Sequence, residues 1–148
     1  MKKKILVVDD HPTMLTFMAD ILEKEGHEVV TAEDGFSALN IISSFIPDII
    51  FVDLVMPKIS GDKLCQIFRK MPDLNDCQLV VVSGAIAEQE FDYTVIGADA
   101  SIAKGPFEVM TDGPGGWAPD DPRTVILKSS LRNHAGEYGG RDPGSLFR

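Results

Sequence analysis

A chain of 148 residues is long enough for one domain with a hydrophobic core and too short for two ordinary domains. Its 44% of hydrophobic and 25% of charged residues are typical of a globular protein and exclude a disordered or fibrous class. The formal net charge of −9 argues against direct nucleic-acid binding, because an acidic surface repels the phosphate backbone.

Strands and helices are predicted to alternate from the first residues onward. Residues 5–8 are a continuous apolar run, which is typical of a strand covered on both faces in a parallel sheet. Pro12 suits the first turn of a helix, and apolar residues recur at helical spacing until Gly26 ends it. Residues 27–32 are the second predicted strand.

The alternation continues through the middle of the chain. Asp34 can cap a second helix. The residues expected on its apolar face are Phe36, Leu39, Ile42 and Ser43. Residues 49–52 form a second continuous apolar run and so a second fully buried strand, which is the third strand along the chain, and a third helix is predicted over about 61–71.

The last predicted elements complete the fold. Residues 79–82 form a fourth strand, residues 88–96 a weaker helix that Gly97 closes, and residues 100–103 a short fifth strand. Parallel neighbours need crossover connections, and helices supply them here. The sequence therefore predicts an α/β fold with a doubly wound, five-stranded parallel sheet.

The C-terminal segment departs from this alternation. We assign residues 1–110 to the sheet domain and residues 111–148 to a Gly- and Pro-rich loop that leads to a frayed tail. Asp121 as N-cap and Pro122 at the first helical position predict a helix over about 122–135. The sequence leaves open whether this helix replaces the last helix of the fold, packs on another chain or does not form.

The number of cysteines and the lengths of the apolar runs indicate the cellular compartment of the protein. Cys65 and Cys77 are too few for a disulfide framework and lack metal-ligand spacing, so we expect two reduced thiols. The apolar runs are far shorter than the roughly 20 residues of a membrane-spanning helix, and no secretory signal precedes the first strand. These features predict a cytoplasmic protein without membrane contact.

Five polar residues come directly after predicted strands: Asp9, Asp10, Asp53, Ser83 and Lys104. The carboxyl ends of parallel strands meet at one edge of a sheet, where ligands bind in open α/β folds, so we expect one site. Crowded carboxylates repel one another unless a cation neutralises them, which predicts a hard divalent metal such as Mg²⁺. Beside such a metal, Asp53 can accept a phosphoryl group while Ser83 and Lys104 stabilise its oxygens.

Each of these residues also has a simpler interpretation when it is taken alone. An aspartate at a strand end commonly caps a helix or forms a turn, and a single serine or lysine there is commonly solvated. The occurrence of all five residues at the ends of predicted strands favours a shared phosphoryl and metal site over five separate explanations. His11 adjoins the acidic pair, and a proton shuttle or metal ligand is conceivable. A lone histidine at a loop start is more often a surface group, so we do not assign it to the site.

The same residues resemble the receiver domains of two-component response regulators, the CheY-like superfamily. That family has an acidic pair after the first strand, an acceptor aspartate after the third, Ser or Thr after the fourth and Lys after the fifth. The resemblance extends to residues 52–57 with Gly61 and to residues 97–99, and it covers residues 1 to about 107. It implies a flavodoxin-like fold with strand order 2-1-3-4-5.

The resemblance also implies roles. Asp10 would bind Mg²⁺ directly, Asp9 mostly through water, and the backbone carbonyl of Val55 would be a further ligand. Asp53 would bind the metal and accept the phosphoryl group. The implied donor is a sensor histidine kinase or a histidine phosphotransfer protein, and the output an unknown downstream protein. Homodimerisation is left open, and no enzymatic activity on a separate substrate is expected.

The chain departs from the family pattern in three places. Ser101 occupies a position that is usually aromatic, Gly105 separates Lys104 from Pro106, and the Gly/Pro segment interrupts the last helix. One alternative, motivated by Ser101 and by the interrupted C-terminal segment, is a pseudo-receiver that binds a partner without phosphorylation. A hydrolase with an aspartyl-phosphate intermediate is a weaker alternative. It needs a second aspartate two residues after the acceptor, where this chain has Val55.

Overall fold

Five strands form one parallel sheet. They are β1 (Lys4–Val8), β2 (Glu28–Ala32), β3 (Ile49–Val52), β4 (Gln78–Ser83) and β5 (Ala100–Ala103). Their order across the sheet is β2-β1-β3-β4-β5, and every neighbouring pair is parallel. The computed structural model describes residues 2–83, 92–103 and 122 of the chain. The predicted flavodoxin-like sheet is thus confirmed.

Helices connect the first four strands as predicted, with differences at their ends. They are α1 (Pro12–Lys24), α2 (Gly35–Ile42) and α3 (Gly61–Arg69), and short 3₁₀ helices cover Pro72–Leu74 and Tyr93–Ile96. Of the helix predicted over 88–96, the described end is this second 3₁₀ helix, and residues 88–91 lie outside the described residues. The predicted helix over 122–135 also lies outside them, apart from Pro122. No helix in the described ranges could cross a membrane.

The two faces of the sheet are covered by different helices. Side chains of a strand alternate between faces, so Leu6 and Val8 join one apolar cluster while Ile5 and Val7 join the other. The first cluster includes buried residues of α2 and α3, and the second includes those of α1. The three central strands are therefore buried on both faces, which explains their continuous apolar runs.

The predicted apolar face of α2 is wrong for two of its residues. Phe36 is 59% exposed and Ser43 is exposed, whereas Gly35, Ala38 and Ile42 are the buried residues. The Asp34 carboxylate accepts a hydrogen bond of 2.7 Å from the backbone N–H of Ser37 and thereby fixes where the helix begins. From that start, the buried stripe passes through Gly35 and leaves the next position facing solvent.

Both cysteines are buried thiols that form no disulfide. Burial disfavours the thiolate and raises the pKa of Cys65 and of Cys77 to about 12. Because the thiolate is the nucleophilic form, this environment disfavours a nucleophilic role for either residue at neutral pH. The prediction of two reduced thiols without a catalytic role agrees with this environment.

Candidate metal centre

The sheet itself brings the first and third strand ends together. Val8 and Val52, the last residues of β1 and β3, are partners in the parallel register. The backbone N–H of Asp53 donates to the carbonyl of Val8 at 3.0 Å, which continues the ladder by one residue. Asp9 and Asp53, which follow these two strands, therefore lie side by side at the carboxyl edge, as the sequence predicted.

Four side chains converge at this edge. Asp9, Asp10, His11 and Asp53 each offer one ligand atom, and these atoms all lie within 4.8 Å of one another. Asp9 is 2% exposed and Asp53 is 6% exposed. Three carboxylates and an imidazole this close together form a group that could hold a metal ion.

The surroundings of the Asp10 carboxylate bear on whether the cluster fits a metal ion. Its Oδ1 is buried and makes no hydrogen bond with any described residue. His11 Nδ1 lies 3.1 Å from this oxygen, which is an ion-pair distance, but the contact lacks hydrogen-bond geometry. A buried carboxylate oxygen without a donor favours a cation ligand. With three carboxylates in reach, the donor set fits the hard divalent cation that the sequence predicted, Mg²⁺.

His11 belongs to the cluster, although the sequence interpretation left it at the surface. Its ring is 71% exposed, yet Nδ1 lies 3.2 Å from Asp9 Oδ1. Its backbone N–H donates to the same Asp9 oxygen at 2.9 Å. The available signal was its position directly after Asp10, between the acidic pair and the first turn of α1.

The loop after Asp53 is held against the start of α3. The backbone N–H of Gly61 donates to the carbonyl of Leu54 at 2.9 Å. A Cβ atom on Gly61 would lie 2.0 Å from the carbonyl oxygen of Asp53, so glycine permits this close approach. Val55 is 65% exposed in the loop, and its N–H lies 3.4 Å from Asp53 Oδ1. Metal ligation by the Val55 carbonyl stays a prediction.

The structure describes the backbone of Ser83 but does not describe Lys104. Ser83 is the last residue of β4, and β4 pairs with β3 through Val81 and Val52, so the Ser83 backbone lies at the carboxyl edge. Lys104 follows the last residue of β5 but lies outside the described residues. The contacts predicted for both side chains therefore stay predictions.

The chain was compared with known families and structures. The model of the response regulator receiver domain matches residues 5–109. The chain is 34% identical over 110 residues to the alkaline phosphatase synthesis transcriptional regulatory protein PhoP of Bacillus subtilis, covering 72% of this chain and 44% of PhoP. It is 33% identical over 107 residues to protein PilG of Pseudomonas aeruginosa, covering 70% of this chain and 77% of PilG.

A solved structure is similar over a larger share of the chain. The response regulator TrrA of Thermotoga maritima, in complex with Mg²⁺ and BeF, is 27% identical with a TM-score of 0.64. The match covers 87% of this chain and 99% of that one. The chain spans less than half of the length of PhoP.

Proposed function

Because the chain belongs to the receiver domain family of two-component response regulators, we propose that it is a phosphorylation-dependent switch that accepts a phosphoryl group on Asp53. The observation that carries the proposal is the gathering of the ligand atoms of Asp9, Asp10, His11 and Asp53 within 4.8 Å. Receiver domains are signalling modules. The fold supplies the edge where such chemistry occurs, and the acidic cluster supplies the groups that it requires.

In the proposed mechanism, Asp9, Asp10, Asp53 and the backbone carbonyl of Val55 hold Mg²⁺. When bound, the ion neutralises negative charge on the transferring phosphoryl group. A carboxylate oxygen of Asp53 forms the new P–O bond as the P–N bond of the donor phosphohistidine breaks, and the donor's imidazole, now without its phosphoryl group, leaves with the electrons of that bond. The burial of Asp53 limits the access of water to the acyl phosphate.

Ser83 and Lys104 complete the proposal. We assign Ser83 to donate its hydroxyl hydrogen to a phosphoryl oxygen and Lys104 to pair with another. Support comes from their positions at the ends of β4 and β5, the same edge that carries Asp53. Charge stabilisation of this kind is the main protein contribution to phosphoryl transfer.

The proposed partners follow from the chemistry. The donor is a sensor histidine kinase or a histidine phosphotransfer protein, and the recipient of the signal is a downstream protein that the sequence does not identify. In this proposal residues 1–110 are the receiver domain, and residues 111–148 are a separate C-terminal segment. Homodimerisation is left open.

Phosphoryl labelling tests the acceptor. We expect purified protein incubated with Mg²⁺ and acetyl phosphate to gain one phosphoryl group by intact mass, and the group to be absent without Mg²⁺. Asp53→Asn keeps the side-chain volume but removes the nucleophilic oxygen, so labelling should be lost. Asp73→Asn, which changes an exposed aspartate before β4, is the matched control and should label normally.

Two outcomes would contradict the proposal. Labelling that persists in Asp53→Asn would place the acceptor elsewhere. A folded wild-type protein that shows no Mg²⁺-dependent labelling would favour the pseudo-receiver, whose motivation is the buried Ser101 at a usually aromatic position.

We expect the acyl phosphate, once formed, to be lost slowly. In this family its lifetime depends on the side chains two residues after the acceptor and two after the Ser or Thr, here Val55 and Ala85. Both are apolar and cannot orient an attacking water. Ala85 lies outside the described residues, while Val55 is 65% exposed at the site.

The decay of phosphoprotein mass after donor removal measures this lifetime. Val55→Asn should shorten the half-life severalfold because an amide can position water, whereas the apolar control Val55→Leu should leave it unchanged. A wild-type half-life of only seconds would overturn the prediction.

A further inference from the structure

The imidazole of His11 lies against both members of the acidic pair. Its Nδ1 is 3.2 Å from Asp9 Oδ1 and 3.1 Å from Asp10 Oδ1. The ring makes no side-chain capping bond to α1, although His11 is the N-cap residue. The ring orientation follows from its contacts with the two carboxylates, of which the contact with Asp9 is a hydrogen bond, and these contacts direct Nδ1 at the acidic pair.

These separations match those between neighbouring ligands of one metal ion. Bonds of about 2.1 Å from a divalent metal to nitrogen and oxygen place adjacent octahedral ligands about 3.0 Å apart. The two distances from Nδ1 are 3.1 and 3.2 Å, and the ligand atom of Asp53 lies within 4.8 Å of the others. Small side-chain adjustments would bring all four residues onto one ion.

The chemistry of the fourth donor changes the expected selectivity. Mg²⁺ prefers oxygen ligands, whereas imidazole nitrogen is a common ligand of nickel, copper, zinc and iron. A site of three carboxylates and one imidazole is therefore a mixed oxygen and nitrogen site. The ring is 71% exposed, so binding of the metal by its nitrogen needs no rearrangement of the core.

We propose that His11 is a metal ligand and makes this centre bind first-row transition cations such as Ni²⁺ in preference to Mg²⁺. The proposal deepens the proposed function and rests on it for the three carboxylate ligands. The affinity of an all-oxygen site already rises from Mn²⁺ toward Ni²⁺ and Cu²⁺, and an imidazole ligand adds to this preference because it suits those metals better than it suits Mg²⁺.

Metal titrations of the full chain test the proposal. Isothermal titration calorimetry with Ni²⁺ alone and with Mg²⁺ alone compares wild type with His11→Phe, which keeps an aromatic ring but removes the nitrogen. We expect His11→Phe to weaken Ni²⁺ binding at least about tenfold and to change Mg²⁺ binding less than about twofold. The matched control His134→Phe removes another histidine and should leave both affinities unchanged.

A spectroscopic measurement separates ligation from an indirect effect. The visible bands of bound Co²⁺ respond to its ligands, so they should shift in His11→Phe and not in His134→Phe. Equal losses of Ni²⁺ and Mg²⁺ affinity, or an unchanged Ni²⁺ affinity, would overturn the proposal. His11→Gln provides a second variant if His11→Phe does not fold, which circular dichroism will show.

The labelling experiment keeps the two proposals distinguishable. Mg²⁺-dependent labelling of Asp53 together with an unchanged Ni²⁺ preference in His11→Phe would refute the His11 proposal and leave the switch function in place. Absence of labelling in wild type, together with a selective loss of Ni²⁺ affinity in His11→Phe, would refute the switch function and support His11 as a ligand.

Discussion

Replacing Gly61 by alanine is expected to destabilise the fold by about 3 kcal/mol or more, at the upper end of the range for overpacking. The new Cβ would lie 2.0 Å from the carbonyl oxygen of Asp53 and 2.7 Å from Leu54 Cα. Both are backbone atoms, which cannot rotate away as the end of a side chain can. Urea denaturation followed by circular dichroism measures the loss.

The same substitution should also impair the site. Gly61 begins α3, and its N–H donates to the Leu54 carbonyl at 2.9 Å, so the clash displaces the residues that directly follow β3. Phosphoryl transfer depends on angstrom-scale positioning of the nucleophile. Under conditions where Gly61→Ala is still folded, we expect Mg²⁺-dependent labelling of Asp53 to fall at least about tenfold.

Gly26→Ala is the matched control for this steric explanation. Gly26 has φ of +91°, but a Cβ there would meet nothing within 4 Å. Its substitution should cost only the backbone strain of a left-handed residue, about 1–2 kcal/mol, and should not affect labelling. If the two variants lose equal stability and Gly61→Ala labels normally, close packing of Gly61 against Asp53 is not what the site requires.

The sheet was predictable because its physical signal is local. Three apolar runs stand out in the sequence, and the structure buries β1, β3 and β4 between helices on both faces. A continuous run does not tell which residue faces which side, since every position is apolar. The structure decides that Leu6 packs in one cluster and Val7 in the other.

The apolar face of α2 was mispredicted because the helix is short and apolar on several sides. Its eight residues include apolar side chains around most of the circumference, so spacing alone does not select one stripe. A Cβ on Gly35 would lie 2.9 Å from Ile59 Cβ, which shows how closely the loop before α3 packs on the start of α2. This tertiary contact brings Gly35 inside and leaves Phe36 in solvent.

Long-range polar contacts also could not be predicted from the sequence. The guanidinium of Arg69, at the end of α3, donates to the carbonyls of Gly97, Leu74 and Cys77 and pairs with Asp99. The Asp99 carboxylate also accepts from the backbone N–H of Leu79 at 2.8 Å. The family resemblance pointed to residues 97–99 as a signature, but only the fold shows that they join α3 to β4.

The candidate site also contains features that the sequence predicts and features that it does not. The aspartates were predictable because each follows a recognisable strand, and the topology fixes that such residues meet at one edge. His11 was predicted to be a surface group, and its ring is 71% exposed, but the approach of its Nδ1 to Asp9 and Asp10 depends on the orientation of one ring in a turn, about which periodicity carries no information. The sequence therefore predicts which backbone positions converge and does not predict how individual side chains orient there.

Asp10→Asn is expected to abolish the stabilisation of the protein by Mg²⁺. A ligand that binds only the folded state adds about 2.7 kcal/mol at a concentration one hundred times its Kd. The wild type should show this gain in thermal melts at saturating Mg²⁺. The variant should show no measurable gain at the same concentration, because the charged oxygen that lacks a hydrogen-bond donor is replaced by a neutral amide.

The metal-free stability of the same variant separates the role of charge from that of packing. Three carboxylates held together without a cation repel one another, so removing one charge should leave the metal-free fold at least as stable as the wild type. Asp73→Asn removes the same charge from an exposed position and should retain the full Mg²⁺ response. Should Asp10→Asn lose stability without Mg²⁺ and still respond to the ion, Asp10 would be a structural residue and the metal would bind through the remaining carboxylates.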